Sequence, residues 1–387
     1  MRAKTSSIFS RRCRSLRRIA RIVVLGGYGN FGARICRALA QDSEIEMIAA
    51  GRNPDRGPQD ILLDSGIQKA QLDFASPNFP EALKRLSPEI VIHCAGPFQG
   101  QDYRVVSATI SAGAHYIDLA DSREFVVHFA EHNNTAARSA DLLVVSGASS
   151  VPALSSAVVD HLAGRFERLQ EIQIVIAPAQ RASRGVATIA GVFSYAGKPF
   201  RWLSGGDWST AYGWQELRRA RIEGLGIRWA AACDVPDLEL FPARYPGVET
   251  VEFRAALEVG LQHVALWSAA MLRRSGVPLP IERWAAPLDR FAFLLDSFGS
   301  ERGGMLVSVT GTKTDGKRAR IEWHLTANAN CGPEIPCMAA VLLARKLARG
   351  EVSARGAMPC MGLLTLAEFE PEFARWCIST AVEESAA

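Results

Sequence analysis

The chain has 387 residues, more than one ordinary domain of about 100 to 200 residues holds, so two domains are expected. Hydrophobic residues make up 48% of the sequence and charged residues 22%, which excludes a largely disordered chain. The formal net charge of +4 does not indicate a nucleic-acid-binding protein, because much of the basic excess lies in the first 21 residues rather than along a folded segment.

Residues 1–20 are predicted to form a basic extension, and they contain no acidic residue. A solvated extension ahead of the first strand is the favoured interpretation, while an organelle-targeting peptide or a misassigned start codon would have the same composition. No stretch approaches about 18 uninterrupted apolar residues, so no membrane span is predicted.

Eight cysteines are scattered through the sequence without the CxxC pairs that zinc sites use. We therefore predict no metal site. Scattered thiols in a large chain are typical of a reducing compartment, and a cytoplasmic location is expected.

Residues 21–152 alternate short β-branched runs with amphipathic segments, which is the pattern of βαβ units. About six strands complete a doubly wound sheet, so this region is predicted to be a Rossmann dinucleotide-binding domain. The predicted strands are 21–26, 44–51, 67–74, 89–96, 115–120 and 141–147.

Residues 153–332 have a different pattern and are predicted to form an α+β domain. The domain begins with a long strand candidate at 170–178 and continues through a stretch rich in tryptophan and glycine, interpreted as mostly loop. Two strands then follow, joined at Asp315-Gly316, a dipeptide favoured in tight hairpins. The overall fold class is therefore α/β, with a parallel Rossmann sheet and a second domain that contains antiparallel strands.

Residues 333–387 are predicted to be a helical segment that packs back on the Rossmann domain. Its main helix is begun by Pro336 and ended by Gly350.

The first predicted strand leads into a glycine-rich turn, "VVLGGYGNFG" (23–32). Its GxGxxG motif permits a sharp turn, close approach of a pyrophosphate and tight packing of the helix on the strand. The phosphates would meet free N–H groups at the helix N-terminus. Because the motif follows a strand and opens a helix, we predict a dinucleotide site rather than a purely structural turn. The predicted cofactor-binding residues here are Gly27, Tyr28, Gly29, Asn30, Phe31 and Gly32.

The end of the second predicted strand, "AAGRN", indicates which dinucleotide binds. An acidic residue at this point would hydrogen-bond the ribose 2'-hydroxyl of NAD, whereas a basic residue accepts the 2'-phosphate of NADP. Arg52 occupies the place, followed by Asn53, and an arginine pairs with phosphate in bidentate fashion. The sequence therefore favours NADP over NAD, with a solvated loop charge as the alternative role of Arg52.

The segment after the fourth predicted strand brings small residues to the carboxyl edge of the sheet, where doubly wound folds bind ligands. Cys94, Ala95, Gly96 and Pro97 are predicted to line the dinucleotide groove. His93 precedes this edge inside a strand, so we interpret it as a core histidine rather than a catalytic one.

The fifth predicted strand ends in "HYIDLADSREF", which places polar side chains where nicotinamide and substrate would meet. Asp118, Tyr116 and Asp121 are the candidate catalytic residues, for general acid or substrate-binding work. A structural role is the alternative, because Asp121 or Ser122 can cap the next helix.

Together with "GASSVPALSS" (147–156), these phrases resemble the saccharopine dehydrogenase-like family of NADP-binding oxidoreductases. The resemblance implies a Rossmann domain, NADP along the glycine-rich turn with Arg52 at the adenosine phosphate, and a second domain that holds the substrate and allows a homodimer. Enzymes of this group reduce imines made from amino acids or activated carbon–carbon double bonds, and the fold does not choose between them. The tryptophan-rich region shows no obvious arginine cluster for the carboxylates of saccharopine.

The favoured function is an NADP-dependent oxidoreductase that transfers hydride to or from an imine or an activated C=C carbon of a small molecule. A non-catalytic NADP-binding redox sensor or scaffold is the alternative. An enzyme is expected to keep a closed polar pocket at the carboxyl edge with Asp118 facing the nicotinamide position, whereas a sensor can have that pocket filled by side chains. Neither a nucleic-acid nor a membrane partner is expected.

Overall fold

A computed structural model describes residues 19–58, 61, 64, 66–183, 185–281 and 293–387. Most of the predicted basic extension lies outside these residues. Sixteen described strands, β1 to β16, span Ala20–Leu25, Ile45–Gly51, Ile67–Gln71, Ile90–His93, His115–Asp118, Leu143–Ser146, Arg168–Ala177, Pro199–Ser204, Asp207–Tyr212, Arg218–Ile222, Gly226–Ala232, Thr250–Ala255, Gly303–Thr312, Arg318–Ala327, Gly356–Pro359 and Ile378–Ala386.

The α-helices described by the structure, α1 to α11, span Asn30–Ala40, Phe79–Arg85, Arg104–Ser111, Arg123–Val127, Phe129–Ser139, Ser155–Ala163, Val186–Tyr195, Asp237–Arg244, Gly260–Arg274, Ile335–Ala348 and Leu366–Arg375. Short 3-10 turns occur at Pro54–Arg56, Asp296–Phe298 and Gly332–Glu334, and a π-turn at Ser150–Leu154.

The first sheet is parallel and has seven strands in the order β15-β6-β5-β4-β1-β2-β3. Its strands are apolar on both sides because helices cover both faces. In β1, Ile22 and Val24 join the layer of α1 and α10, whereas Val23 and Leu25 join the layer of α2, α3 and α5. The chain reverses its direction of winding between β1 and β4, which places a ligand crevice at their carboxyl ends. The predicted doubly wound sheet is confirmed.

The second sheet is mixed and runs β10-β11-β12-β7-β13-β14-β16, with β8 and β9 attached to β12. Strands β12 and β7 are parallel, and the other pairs along this path are antiparallel. The predicted hairpin is confirmed: Gly316 has φ +80° in the turn, and the N–H of Lys313 donates to Lys317 O at 2.9 Å.

The stretch interpreted as mostly loop is largely β-structure, so that prediction is wrong. Trp202, Trp208 and Trp229 lie in β8, β9 and β11. The glycines between these tryptophans serve hairpin turns instead, as at Gly205 and Gly206, which both have positive φ. Aromatic side chains suit half-buried strands, and this preference outweighs the local glycine content.

The C-terminal segment contains strands as well as helices, which corrects the prediction of a helical segment. Strand β15 extends the first sheet beside β6, and β16 extends the second sheet beside β14. Helix α10 packs against α1. Strand β16 lies at the edge of the sheet, and of its alternating β-branched residues Ile378 is buried whereas Thr380 and Val382 are exposed.

One continuous apolar core connects the two sheets. It runs from α1 and the inner face of the first sheet through α6 and α10 to residues such as Ile174 and Trp323 of the second sheet. Helix α6 packs on both β7 and β13. No helix in the described part of the chain is long and apolar enough to cross a lipid bilayer.

Candidate functional site

The glycine-rich turn joins β1 to α1 and packs too closely for side chains at Gly26, Gly27 and Gly32. Gly26 has φ +80°, and a β-carbon there would lie 2.9 Å from the backbone nitrogen of Ala95. A β-carbon on Gly32 would lie 2.2 Å from the carbonyl oxygen of Gly26. These contacts press α1 onto the strand and bring the turn against the segment after β4.

The N-terminus of α1 is open at Gly29, the residue that precedes the helix. Gly29 is exposed, and no side chain caps the helix. The first amides of a helix have no acceptor within the helix, so they point outward as donors at its positive end. A β-carbon on Gly29 would meet only the carbonyl oxygen of Gly26, at 3.2 Å. The turn therefore fits a pyrophosphate, which needs donors and space for its oxygens.

Two aromatic or polar side chains of the motif are already engaged with protein. The hydroxyl of Tyr28 donates to the carbonyl oxygens of Ala49 (2.8 Å) and Ala70 (3.2 Å), so it braces the ends of β2 and β3. The side chain of Asn30 exchanges hydrogen bonds with Ser183, which comes from the second sheet's half of the chain. Phe31 is half-buried against the core.

Arg52 and Asn53 follow β2 and are both exposed. Within the residues described, no carboxylate pairs with the Arg52 guanidinium, while its carbonyl oxygen accepts a hydrogen bond from Gln71 at 3.1 Å. The arginine is therefore placed where the sequence predicted it and is available to an anion.

Cys94, Ala95, Gly96 and Pro97 lie beside the glycine-rich turn, as the close approach of Ala95 to Gly26 shows. Gln101 shapes this loop by donating to the carbonyl oxygens of Ala95 (2.9 Å) and Pro97 (2.7 Å). Burial raises the pKa of the Cys94 thiol well above its usual range, so it is not an activated nucleophile.

His93 lies in the core, as the sequence indicated. It is 1% exposed, and its ring packs against those of Phe74 and Phe98. Burial lowers its pKa to about 4, so the ring is neutral near pH 7.

Asp118 is fully buried at the end of β5. One carboxylate oxygen accepts hydrogen bonds from the N–H of Gly147 (2.8 Å), the N–H of Ala120 (2.9 Å) and the hydroxyl of Ser146 (3.0 Å). The other oxygen has no hydrogen-bond partner among the described residues. Burial raises the pKa of Asp118 to about 6, against these three donors and the nearby Tyr116 phenol, which lower it. The carboxyl therefore ties the ends of β5 and β6 together.

Tyr116 lies below Asp118 in the same strand and is also fully buried. Its ring stacks on that of Phe129 at 6.0 Å. Burial, followed by the charge of Asp118, raises the pKa of its phenol well above the usual value. In this conformation neither Tyr116 nor Asp118 has a surface that a substrate can touch.

Asp121 differs from Asp118 because its side chain is exposed. Its carboxylate accepts a hydrogen bond from Gln99 at 3.3 Å, and desolvation still raises its pKa. We call the space beside Asp121 and Gln99, at the carboxyl edge of the parallel sheet, the cleft. Ser122 precedes α4 without a capping side-chain bond, so neither residue acts as the cap considered above.

The second domain forms the facing wall of this cleft through α7. A β-carbon on Gly191 would lie 3.1 Å from the amide oxygen of Gln99, so the helix approaches the loop after β4 at a glycine. Tyr195, at the end of α7, interacts electrostatically with Asp121 and with the thiol of Cys233. Burial raises the pKa of Tyr195 well above its usual value, so the phenol stays protonated.

Arg123 fastens the edge of this cleft. Its guanidinium donates to Asp234 (3.0 Å), to Glu239 and to the carbonyl oxygen of Arg201 (2.6 Å), all from the second domain. Desolvation raises the pKa of Asp234 although Arg123 opposes this. These bonds, which we call the Arg123 clamp, therefore hold the loop after β5 against the second domain.

The sequence missed the second-domain members of this cleft, Tyr195, Cys233 and Asp234. Tyr195 precedes Lys198 by three residues, one fewer than the tyrosine–lysine spacing of short-chain reductases, and the sequence around Cys233 and Asp234 indicated no role. Only the folded chain brings them opposite Asp121.

A carboxylate and histidine group also gathers on the second sheet, where atoms of Glu322, His324 and Glu383 lie within 4.8 Å of one another. The Nδ1 atom of His324 accepts the N–H of Glu223 at 3.3 Å. Arg221 also pairs with Glu383 at 3.5 Å. Two members of the group therefore already have protein partners.

Comparison with known proteins agrees with this geometry. Residues 22–145 match the family model described as the saccharopine dehydrogenase NADP binding domain. A probable mitochondrial saccharopine dehydrogenase-like oxidoreductase of Arabidopsis thaliana is 28% identical over 147 residues, which are 34% of this chain and 32% of that protein. This chain thus spans about a third of that relative.

Two solved structures share the fold over nearly the whole chain. Apo saccharopine dehydrogenase (L-Glu forming) of Saccharomyces cerevisiae has a TM-score of 0.67 at 13% identity and covers 95% of this chain and 100% of its own. Homospermidine synthase of Legionella pneumophila, in complex with NAD, has a TM-score of 0.60 at 10% identity and covers 95% and 93%. The chain therefore carries an NADP-binding domain of the saccharopine dehydrogenase type, and the resemblance and the cofactor predicted from the sequence are confirmed.

Proposed function

Because residues 22–145 form an NADP-binding domain of the saccharopine dehydrogenase type, we propose that the protein is an NADP-dependent oxidoreductase acting on an imine of a small amine or amino acid. The observation that carries this proposal is the exposed carboxylate of Asp121. It stands in a cleft at the carboxyl edge of the parallel sheet, where doubly wound folds bind ligands.

The cofactor is held by groups of the first domain. The open amides at the start of α1 bind the pyrophosphate, and Arg52 binds the 2'-phosphate of the adenosine. When bound, NADPH supplies the hydride. Cys94, Ala95, Gly96 and Pro97 form the side of the groove next to the turn.

Asp121 selects a cationic substrate group. A protonated imine carries positive charge at the carbon–nitrogen bond, and a carboxylate beside it stabilises that charge while the carbon accepts hydride. Because the iminium nitrogen already holds its proton, the reaction gives an amine without a further proton donor. An activated C=C substrate has no cation for Asp121 to bind, so the charge of the cleft favours the imine.

Tyr195 orients the substrate from the opposite wall. Its phenol, which interacts with the Cys233 thiol, stays protonated, and in this proposal it turns to donate to a carbonyl or carboxylate oxygen of the substrate. Gln99 holds the carboxylate of Asp121 in place through its 3.3 Å hydrogen bond.

In this proposal Asp118 and Tyr116 have a structural role and do not take part in catalysis. Both are fully buried, and Asp118 joins the ends of β5 and β6 just before the loop that carries Asp121. We propose that Asp118 positions this edge rather than exchanging a proton with the substrate.

The burial of Asp118 also favours the second candidate function, a non-catalytic NADP-binding sensor, because an enzyme was expected to expose that residue to the cleft. The two functions differ at Asp121. A sensor has no turnover with or without Asp121, whereas in an enzyme substitution of Asp121 reduces turnover.

The test is titration of the purified protein with NADPH and NADH, followed by measurement of NADPH consumption with amine–carbonyl mixtures and with enoyl substrates. The proposal predicts preference for NADPH, consumption with imines, and loss of turnover in Asp121→Asn with NADPH affinity unchanged. Tight NADPH binding without consumption in either substrate class would support the sensor instead.

A further inference from the structure

Two cysteines far apart in the sequence meet at one corner of the second sheet. Ala327 at the end of β14 pairs with Ile378 at the start of β16. The ladder continues one step further, since the N–H of Asn328 donates to the carbonyl oxygen of Cys377 at 2.9 Å. The N–H of Cys331 then donates to the carbonyl oxygen of Asn328 at 2.9 Å, which folds the loop back over the same corner.

This fold brings the Cys331 thiol into contact with Cys377. The Cys331 sulfur interacts with both the side chain and the backbone of Cys377. Cys331 is half-buried and Cys377 is exposed, so reagents in solution reach the pair. Ala329 and Asn330, both with φ near +50° to +60°, make the tight loop that allows this approach.

The other cysteines of the described chain lack these properties. Four of them, Cys36, Cys233, Cys337 and Cys360, are buried, and Cys94 lies in the dinucleotide groove. We infer that Cys331 and Cys377 form a reversible disulfide when the protein meets a peroxide.

The chemistry needs one peroxide for each disulfide. The exposed Cys377 thiolate attacks the peroxide and becomes a sulfenic acid, with release of hydroxide or alkoxide. The Cys331 thiol then displaces water from that sulfenic acid, forming the S–S bond and leaving no thiol on either residue. The two electrons removed from the sulfurs reduce the peroxide, and a dithiol reverses the bond by exchange.

The bond would fix the loop that braces the glycine-rich helix. Three residues beyond Cys331, Glu334 forms an ion pair with Arg34 of α1. Cys337 lies on α10 and contacts the carbonyl oxygen of Phe31 at 3.6 Å. Oxidation at the corner therefore restrains a segment that contacts the dinucleotide-binding turn.

The experiment treats the full-length protein with a small excess of hydrogen peroxide, counts free thiols, and maps disulfide-linked peptides under non-reducing conditions. Cys331→Ser and Cys377→Ser are compared with the wild type. Cys13→Ser is the control, because it removes one thiol outside the described residues.

The wild type and Cys13→Ser are expected to lose two thiols and to give one linked pair of peptides containing Cys331 and Cys377, reversed by dithiothreitol. Each of the other two variants is expected to give no linked pair. Loss of thiols without linkage, linkage to any other cysteine, or retention of all thiols would overturn the inference. Hydrogen exchange of residues 328–334 is expected to slow on oxidation, and unchanged exchange would contradict the bracing role.

Discussion

Asp118 and Asp121 are three residues apart in the sequence and have opposite environments. Asp118 is surrounded by three donors in the core, whereas Asp121 is exposed in the cleft. The last side chain of a strand in this sheet lies between the sheet and its covering helices, whereas the loop after the strand is at the surface. Position relative to the end of β5 therefore decides which carboxylate a substrate in the cleft could reach.

Replacement of Asp118 by asparagine should preserve the fold and most of the activity. An asparagine oxygen can accept the same three hydrogen bonds, whereas Asp118→Ala leaves those buried donors unpaired, at about 1 to 3 kcal/mol each. We expect steady-state kinetics of Asp118→Asn to give a kcat within about threefold of the wild type. We expect urea unfolding of Asp118→Ala to show a lower free energy of unfolding. A loss of kcat of about a thousandfold in Asp118→Asn alone would return this residue to the chemical step.

The same residue makes stability depend on pH. Folding raises the pKa of Asp118 from 3.8 to about 6, so the folded state binds a proton that the unfolded state has already released. Its protonation stabilises the protein below the unfolded pKa, and this contribution is lost as the pH rises through about 6. Relative to Asp118→Asn, the wild type should gain about 1 kcal/mol between pH 7 and pH 5 in urea unfolding. If the difference in unfolding free energy between the two proteins stayed the same from pH 7 to pH 5, the pKa of Asp118 would not be raised by folding.

Arg52 should determine the choice of cofactor. Loss of a charge-assisted contact of about 1.5 to 3 kcal/mol predicts that Arg52→Ala weakens NADPH binding by about 10- to 100-fold and leaves NADH binding unchanged. Arg168→Ala removes an exposed arginine of the second domain and serves as the control. Equal weakening of both nucleotides in calorimetry would assign Arg52 to the common part of the cofactor.

At the level of elements, the turn between β1 and α1 needs glycine for two different reasons, close packing and space for a ligand. Gly32 is needed for packing, since a β-carbon there would collide with the carbonyl oxygen of Gly26. Gly29 has room within the protein and is exposed where phosphate would lie. The motif thus combines a structural glycine and a ligand-facing glycine.

Gly29→Ala and Gly32→Ala should therefore fail in different ways. Gly29→Ala is expected to keep a Tm within about 2 °C of the wild type and to bind NADPH at least about tenfold more weakly, because its methyl group occupies the phosphate's approach. Gly32→Ala is expected to unfold at a clearly lower temperature. Calorimetric unfolding and NADPH titration of both variants decide this, and a large loss of stability in Gly29→Ala would contradict the assignment.

The sequence was enough to predict the elements whose apolar residues recur at regular spacing. The first sheet, its glycine-rich turn and the hairpin at Asp315-Gly316 follow from local periodicity and turn chemistry. The β-hairpins around the tryptophans did not, because cross-strand partners such as Trp202 and Ser209 are set by tertiary pairing. The facing of Asp121 by Tyr195 is likewise a product of long-range packing that leaves no local signal.

At the scale of the whole molecule, the cleft depends on how firmly the two halves are joined. A continuous core connects the sheets, and the Arg123 clamp closes the edge nearest Asp121. The homodimer expected from the resemblance stays a prediction. In the proposed enzyme, the second domain would enclose the substrate beside the cofactor domain.

Arg123→Ala should loosen this clamp. It leaves Asp234 without its guanidinium partner in a partly buried site, while Glu239 keeps its pair with Arg201, so we expect a loss of about 2 to 3 kcal/mol in urea unfolding, below the value for fully buried pairs. The exposed pair of Arg168 and Glu249 is the comparison, and Arg168→Ala should cost less than about 1 kcal/mol. Equal effects of the two substitutions would exclude a special role for the clamp.

Hydride transfer itself is the most direct test of the proposed oxidoreductase. The measurement is incubation with NADPH deuterated at the transferable position of its nicotinamide, together with amine–carbonyl mixtures, followed by mass spectrometry of the amine product. We expect a single deuterium in the new amine with the wild type and strongly reduced incorporation with Asp121→Asn. Bound NADPH that gives no deuterated amine with any imine would contradict the proposed activity.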